Sequence, residues 1–250
     1  MCDPQIEPNR RRRAERPYRP LPRSAAPTSR RPVRRDVAAR PRDAADSRAA
    51  ILSAATLVFA EKGLGGARVD EIAERAEVNK ALLYHYFANK EALFVAVLEA
   101  TYEGIRGAET ELELEMLSPR EAMAKLVDFT WTYYLEHPEF LHLVNTENLY
   151  AAEHLSRSER VGRLHHPLVG RIRDLLKRGV ATGDFRRGVD PVQLYITIAS
   201  LSYFYLSNAH TLGVVFEQDL LSARARGARQ RHIQQVVEGY LRPGAGESGR

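Results

Sequence analysis

The sequence is poor in cysteine and tryptophan and contains no long apolar run. Cys2 is the only cysteine among 250 residues, which excludes a disulfide framework and a cysteine-based zinc site and favours a reducing compartment. No run of about eighteen apolar residues occurs, so we expect no membrane span. No apolar segment follows the first charged residues, so we expect no secretory signal. These absences predict a cytoplasmic protein.

Positive charge is concentrated at the N-terminus. Residues 1–45 hold 13 arginines and 5 acidic residues, a net charge of +8, whereas the rest of the chain has a net charge of −3. The same segment holds 8 of the 13 prolines and few large apolar residues, so we expect residues 1–44 to be disordered. Two interpretations of this tail stay open: a solvated leader, or an arm that follows DNA phosphates. Residues 243–250 are expected to form a second disordered tail.

Between these tails the chain has the apolar spacing of helices and no strand pattern. Helix starts are marked by Asn79 and Asn89, and by the cap-and-proline pairs Ser118-Pro119 and Asp190-Pro191. Seven predicted helices cover residues 46–63, 69–76, 119–136, 138–152, 158–182, 191–208 and 219–241. Two more follow the second of these, a short helix that begins at Lys80 and a long helix that begins at Lys90. The sequence therefore predicts an all-α protein.

The short helix that begins at Lys80 has an unusual outer face. At about 100° per residue, Leu83 and Phe87 share one buried stripe. His85 points away from that stripe, and Tyr84 and Tyr86 lie on the two flanks of the helix. Such a face suits a DNA major groove, because phenols on the flanks can reach phosphates while an imidazole reads base edges.

Neighbouring residues support the same interpretation. Ala81 and Leu82 can touch a thymine methyl group, and Lys90 adds a cation near free backbone N–H groups. The helix over residues 69–76 would cross the DNA backbone, as the first helix of a helix-turn-helix does. The alternative is that these aromatic side chains pack on other helices. The 6 basic and 7 acidic side chains of residues 46–98 give this region only a weak electrostatic attraction for DNA.

Three segments, "AAILSAATLVFAEKG", "VDEIAERAEVNKALLYHYF" and "NKEALF", resemble the N-terminal domain of TetR-family transcriptional regulators over residues 45–105. The resemblance implies a three-helix DNA-binding domain with its helix-turn-helix motif at residues 68–87. It also implies a larger helical domain, residues 106–242, that dimerises and binds an effector. By position in the motif, DNA contacts are expected at Arg68, Lys80, Ala81, Leu82, Tyr84, His85, Tyr86 and Lys90.

Two residues depart from the family pattern. Arg68 stands where a threonine or serine commonly caps the second helix, so that helix start is weakened or a guanidinium is placed near a phosphate. Glu77 stands where the turn usually has glycine. If this position needs a positive φ, the glutamate costs about 1 kcal/mol.

The second domain resembles the family more loosely. The segments "LVNTENLY" and "YFYLSNAHTLGVVF" are similar to the branch that contains repressors of pyrimidine and nicotinate catabolism. The helix over residues 191–208 is apolar nearly all round, so we expect a second subunit to cover one side, with the helix over residues 219–241 beside it. An internal helix in a monomer is the alternative. The predicted dimer contacts are Leu194, Ile198, Leu201, Tyr205, Ile233, Val236, Val237 and Tyr240.

Glu147 is a carboxylate on an otherwise apolar helix face, where a charge is costly unless it is paired. The favoured interpretation is a structural ion pair with Arg171 or Arg173. The other is an acid that orients a ligand within an effector pocket. That pocket, for a small organic molecule, is predicted to contain Trp131, Tyr134, His142, Glu147, Asn148 and Tyr203.

Signs of catalysis, metal binding or a cofactor are lacking. The histidines at 142, 154, 165 and 166 do not have a metal-ligand spacing, and no phosphate loop or nucleophile motif occurs. The sequence predicts a regulator that binds a palindromic operator as a homodimer, most simply a repressor that a small effector releases. Two alternatives stay open: a small-molecule-binding protein or enzyme that retains a helix-turn-helix, and a non-specific DNA binder.

Overall fold

The computed structural model describes residues 44–244, apart from the side chain of His165, and these residues belong to one compact unit. The predicted arginine-rich arm and most of the predicted C-terminal tail lie outside the described residues. Within residues 44–244 the structure is helical and has no strand, which confirms the all-α prediction. The helices are α1 (Ala44–Gly66), α2 (Val69–Arg75), α3 (Lys80–Tyr86), α4 (Lys90–Thr110), α5 (Pro119–Glu136), α6 (Pro138–Leu149), α7 (Glu159–Ala181), α8 (Pro191–Ser207), α9 (Ala209–Val215) and α10 (Ala223–Leu241).

The predicted helix starts are confirmed where the capping residue was visible in the sequence. The side chains of Asn79 and Asn89 each accept a backbone N–H bond of 2.7 Å, from Leu82 and Ala92. Ser118 forms a reciprocal capping box at the start of α5. These bonds satisfy N–H groups that have no partner inside the helix, so short polar residues fix where a helix begins.

Several helix ends differ from the prediction. Helix α1 kinks at Gly63, which has a φ of 65°, and continues to Gly66. Helix α10 begins four residues later than predicted, because the Asp219 side chain accepts two backbone N–H bonds and holds a turn there. The predicted helix over 191–208 is followed by the separate short helix α9, which the sequence pattern did not indicate.

The first core lies among α1, α2, α3 and α4. The rings of Phe59 and Phe94 meet edge to face at 5.1 Å, and Leu83 of α3 is fully buried beside them. Leu143 of α6 is also fully buried in this core, so the second domain contributes to packing in the first. By length and composition alone α1 could span a membrane, but its apolar side chains, such as Phe59, pack into this core.

A second core joins α5, α7, α8 and α10, and a smaller aromatic cluster lies between α4, α5 and α6. Helix α4 connects these regions, because Phe94 lies in the first core and Ile105 in the aromatic cluster. The domain boundary proposed at residue 105 therefore falls inside one continuous helix, and it stays a prediction.

Four of the eight predicted dimer contacts are core residues of the same subunit. Leu194 and Ile198 of α8 and Ile233 and Val237 of α10 are at most 2% exposed. Leu201 and Tyr205 pack against the same core, Val236 is half-buried, and Tyr240 is exposed. The apolar side chains that α8 exposes are Val192, Ile196 and Phe204. The sequence left the orientation open because α8 is apolar on most of its circumference.

Candidate nucleic-acid interface

The turn between α2 and α3 brings the two helices into a helix-turn-helix arrangement. Glu77 adopts a φ of 54°, in the left-handed region that favours glycine. Backbone bonds from Glu77 to Glu74 and from Val78 to Ala73, both 3.0 Å, close the turn. The condition for the expected cost of about 1 kcal/mol, a positive φ at this position, is therefore met.

Helix α3 presents the face that its sequence predicts. Leu83 is fully buried and Phe87 is 5% exposed, so this stripe holds the helix to the first core. Lys80, Ala81, Tyr84 and His85 are exposed on the other side, and Leu82 is half-buried. The outer face therefore carries small, phenolic and imidazole groups that no helix within residues 44–244 covers.

Two residues predicted to contact DNA form hydrogen bonds within the chain. The Tyr86 hydroxyl donates to the carbonyl of Ala44, at the start of α1, over 3.0 Å. The Lys90 ammonium donates to the carbonyl of Leu64 (2.8 Å), near the other end of α1, and to that of Ala67 (3.4 Å), just after this helix. These bonds position α3 and α4 against α1, and the predicted phosphate contacts of both residues stay predictions.

Several basic side chains around the motif form ion pairs with acidic neighbours. Lys80 lies 2.8 Å from Asp70, and the hydrogen bond from that ammonium lowers the pKa of the Asp70 carboxyl. Arg75 makes two bonds to Glu61, of 2.9 and 2.7 Å. Arg68 is exposed at the start of α2, and its side chain makes no capping bond. This local pairing fits the weak electrostatic attraction expected from the composition.

Glu147 forms a structural pair, but its partners differ from the predicted arginines. Its carboxylate is bonded to His154 Nδ1 (2.9 Å) and to the backbone N–H of Leu155 (2.6 Å), and the side chain is 4% exposed. Arg171 instead donates to the carbonyl of Glu109 and to the hydroxyl of Thr110. The chain after α6 folds back through two alanines with positive φ, and this brings His154 to Glu147.

The other predicted effector residues do not share one site. Trp131 is buried in the second core, whereas Tyr134 stacks on Phe140 in the aromatic cluster at a ring distance of 5.4 Å. The Tyr203 hydroxyl donates to the Asn145 side chain. His142 and Asn148 are exposed on the outer side of α6. A cavity of about 300 Å³ lies elsewhere, between α5 and α10, and its lining includes Arg120, Met123, Phe185, Gln234, Val237 and Leu241.

A buried ion pair on α4 was not predicted from the sequence. Arg106 Nη1 lies 3.0 Å from Glu109 Oε2, and the two residues are 5% and 2% exposed. Burial raises the pKa of the Glu109 carboxyl to about 7, although Arg106 and Arg171 act in the opposite direction. The i,i+3 spacing of two charges beside Ile105 was the signal that could have identified it.

The fold and the exposed face of α3 define a helix-turn-helix DNA-binding protein with a second helical domain. Two protein-family models match this chain. The model for "Bacterial regulatory proteins, tetR family" matches residues 51–97, and the model for "Tetracyclin repressor-like, C-terminal domain" matches residues 119–237. The chain belongs to the TetR family of transcriptional regulators.

Individual relatives agree with this assignment. The HTH-type transcriptional repressor NicS of Pseudomonas putida is 40% identical over 176 residues, which cover 70% of this chain and 83% of NicS. The HTH-type transcriptional regulator RutR of Escherichia coli is 28% identical over 78% of this chain and 90% of RutR. A solved tetR-family protein from Rhodococcus RHA1 has a TM-score of 0.61 at 17% identity, covering 78% of this chain and 97% of that one. NicS and RutR are transcriptional regulators, and the likeness to the Rhodococcus structure shows a shared fold.

Proposed function

We propose that this protein is a cytoplasmic repressor that binds a palindromic operator as a homodimer and leaves it when a small organic effector binds. The observation that carries the DNA part is the outer face of α3, where Tyr84 and His85 are exposed while Leu83 anchors the helix. The repressor assignment is supported by the similarity to NicS. Release by an effector would be a population shift toward a spacing of the two α3 helices that no longer fits the operator.

Each exposed group on α3 has a distinct role in this proposal. The Tyr84 hydroxyl contacts a phosphate and fixes the register of the helix in the groove. His85 reads base edges, and Ala81 makes an apolar contact with a thymine methyl group. Arg68, at the start of α2, contacts the backbone that this helix crosses.

Dimerisation is proposed to use the exposed side of α8. Val192, Ile196 and Phe204 are 43%, 48% and 59% exposed, and they follow one another at multiples of four residues. At about 100° per residue the three side chains fall within about 120° of the helix circumference, so they share one broad face that packing against a second copy would bury. Helix α10 lies beside α8 and would complete a four-helix interface.

The proposal is tested by gel retardation with DNA from upstream of the protein's own gene. The protein should retard this DNA in the presence of excess unrelated DNA. His85→Ala should change which operator bases are tolerated, whereas Tyr84→Phe should weaken binding to all sequences by a similar factor. His142→Ala, an exposed histidine on α6, is the matched control and should bind normally. Equal competition by unrelated DNA would favour a non-specific binder, and unchanged base preference in His85→Ala would contradict the orientation of α3.

A further inference from the structure

We propose that Arg106 anchors the carboxylate of a small organic acid, and that such an acid is the effector. This inference rests on the proposed effector-released repressor. Arg106 belongs to α4 and is 5% exposed. Its Nη2 group donates to the hydroxyl of Tyr195 over 3.2 Å. Its Nε and Nη1 atoms are buried and have no hydrogen-bond partner among the described residues, although Nη1 lies 3.0 Å from Glu109 Oε2.

This arrangement is costly for a purely structural arginine. A guanidinium has five N–H donors, and a buried donor without an acceptor costs more than an ordinary hydrogen bond contributes. Arg178 shows how the same chain satisfies a structural arginine, because its two amino groups donate to the carbonyls of Leu114, Glu115 and Leu117. Arg106 therefore keeps binding capacity that an incoming acceptor can use.

The charges around Arg106 favour an anion. The charged side chains that act on Glu109 are Arg106 and Arg171, so two guanidinium groups face one carboxylate. The Arg171 Nε atom is also buried without a hydrogen-bond partner in residues 44–244, whereas the Glu109 Oε2 atom is paired with Arg106 Nη1 at 3.0 Å. A carboxylate offers two charged oxygens that accept strong bonds from arginine, which a neutral amide cannot match.

The like charge of Glu109 does not oppose this binding strongly. Because burial raises the pKa of its carboxyl to about 7, Glu109 can take up a proton from solvent when a second carboxylate approaches Arg106. The titratable groups that face it from other helices are Tyr133 and Tyr134 of α5 and Arg171 of α7. None of these side chains carries a negative charge at neutral pH that would repel the anion.

The aromatic side chains around Arg106 favour an acid with a flat, apolar body. The guanidinium of Arg106 lies 5.5 Å from the ring centre of Tyr195. Tyr102 and Tyr134 are close enough to interact with its charge, and burial raises the pKa of the Tyr102 hydroxyl to about 12. Aromatic walls with few polar anchors are typical of sites for small aromatic or apolar ligands.

Helix α4 connects this site with the DNA-binding domain. It runs without interruption from Lys90 to Thr110, so Arg106 lies about 24 Å along the helix from Lys90 at 1.5 Å per residue. Lys90 holds the end of α1, and Phe94 lies in the first core. An acid that draws Arg106 toward itself therefore acts on the same helix that positions α1 and α3.

The binding step is tested by thermal melting of the full-length protein without DNA. Acetate, hexanoate, benzoate and phenylacetate are compared with their amides at constant ionic strength. At least one acid should raise the melting temperature by on the order of 5 °C at a hundredfold excess over its Kd, and its amide should not. The combined substitution Arg106→Gln and Glu109→Gln removes both buried charges while keeping similar shapes, and it should abolish the response.

The combined substitution Arg163→Gln and Glu159→Gln is the matched control, because it likewise removes one arginine and one glutamate, here from an exposed ion pair on α7, and so changes the net charge equally. It should keep the response. The proposal is overturned if no acid stabilises the wild-type protein, or if the double variant responds as the wild type does.

The regulatory step is tested by gel retardation with the same acids. An acid that stabilises the protein through Arg106 should weaken the DNA complex of the wild type and not that of the double variant. Stabilisation without any change in retardation would refute the effector assignment. A protein that retards no DNA at all would instead refute the proposed function, and the melting experiment would still decide the role of Arg106.

Discussion

Glu77 shows how one residue in a turn can cost stability through its backbone conformation. Its φ of 54° places a side chain where glycine is favoured. Glu77→Gly should raise the free energy of unfolding by about 0.5–1 kcal/mol, because the left-handed strain exceeds the extra entropy that glycine loses on folding. Urea unfolding measures this. Glu77→Ala is the control, since it removes the same side-chain contacts but keeps the Cβ atom, and an equal gain in Ala would disprove the strain.

The raised pKa of Glu109 predicts the sign of a pH dependence of stability. Its pKa is raised from 4.5 to about 7 in the folded protein, so the folded state holds a proton that the unfolded state has already released. Its contribution to stability is therefore present at low pH and is lost as pH rises toward and through about 7, by on the order of 3 kcal/mol.

The comparison that isolates this effect is Glu109→Gln, whose amide does not titrate. Between pH 5.5 and pH 8 the wild type should lose stability relative to the variant, as measured by denaturant unfolding at each pH. Parallel pH profiles for the two proteins would contradict the raised pKa of Glu109.

At the scale of elements, the end of α6 joins the two domains. Leu143 of α6 is buried in the core of the DNA-binding domain, and Thr146 lies beside the kink of α1 at Gly63. The Glu147 carboxylate then holds His154 and Leu155 in the returning chain. The ring of His154 in turn meets Phe94 of α4 at 5.4 Å, so this segment contacts both helices that position α3.

Glu147→Ala should lower the free energy of unfolding by about 1–3 kcal/mol, because it leaves the Leu155 N–H and the His154 ring without their buried acceptor. Thermal melting and denaturant unfolding measure the loss. Glu153→Ala removes an exposed carboxylate from the same segment and should have little effect. A variant at position 147 with unchanged stability but no effector response would return Glu147 to the ligand-binding interpretation.

At the scale of the whole molecule, the proposed dimer depends on one side of α8. Ile196→Glu should convert the dimer to a monomer, because it places charges in the centre of an apolar interface, and DNA affinity should fall with it. Sedimentation velocity measures the first effect and gel retardation the second.

Met116→Glu is the control, because Met116 is 83% exposed and lies far along the chain from α8. It should remain a dimer. Leu194→Ala should act differently from Ile196→Glu, since it opens a cavity inside one subunit and lowers stability by about 2–5 kcal/mol. A dimeric Ile196→Glu protein would exclude this face as the interface.

Local chemistry in the sequence determined the helices and the outer face of α3. Capping bonds such as those of Asn79, Asn89 and Ser118 involve residues only three positions apart, so they can be read from the sequence. The orientation of α3 followed from helical spacing, which placed Leu83 and Phe87 inside. The positive φ of Glu77 was only a conditional expectation, and it rested on the family pattern, in which glycine is usual at this position.

Only the tertiary structure decided which distant groups meet. The partner of Glu147 depends on how the chain returns after α6, and the carbonyls that hold Lys90 belong to the end of another helix. The inward side of α8 depends on where α5, α7 and α10 pack, because nearly every side of that helix is apolar. Helical spacing fixes the angles within one helix, whereas these contacts are fixed by the packing of several helices together, and no single segment carries that information.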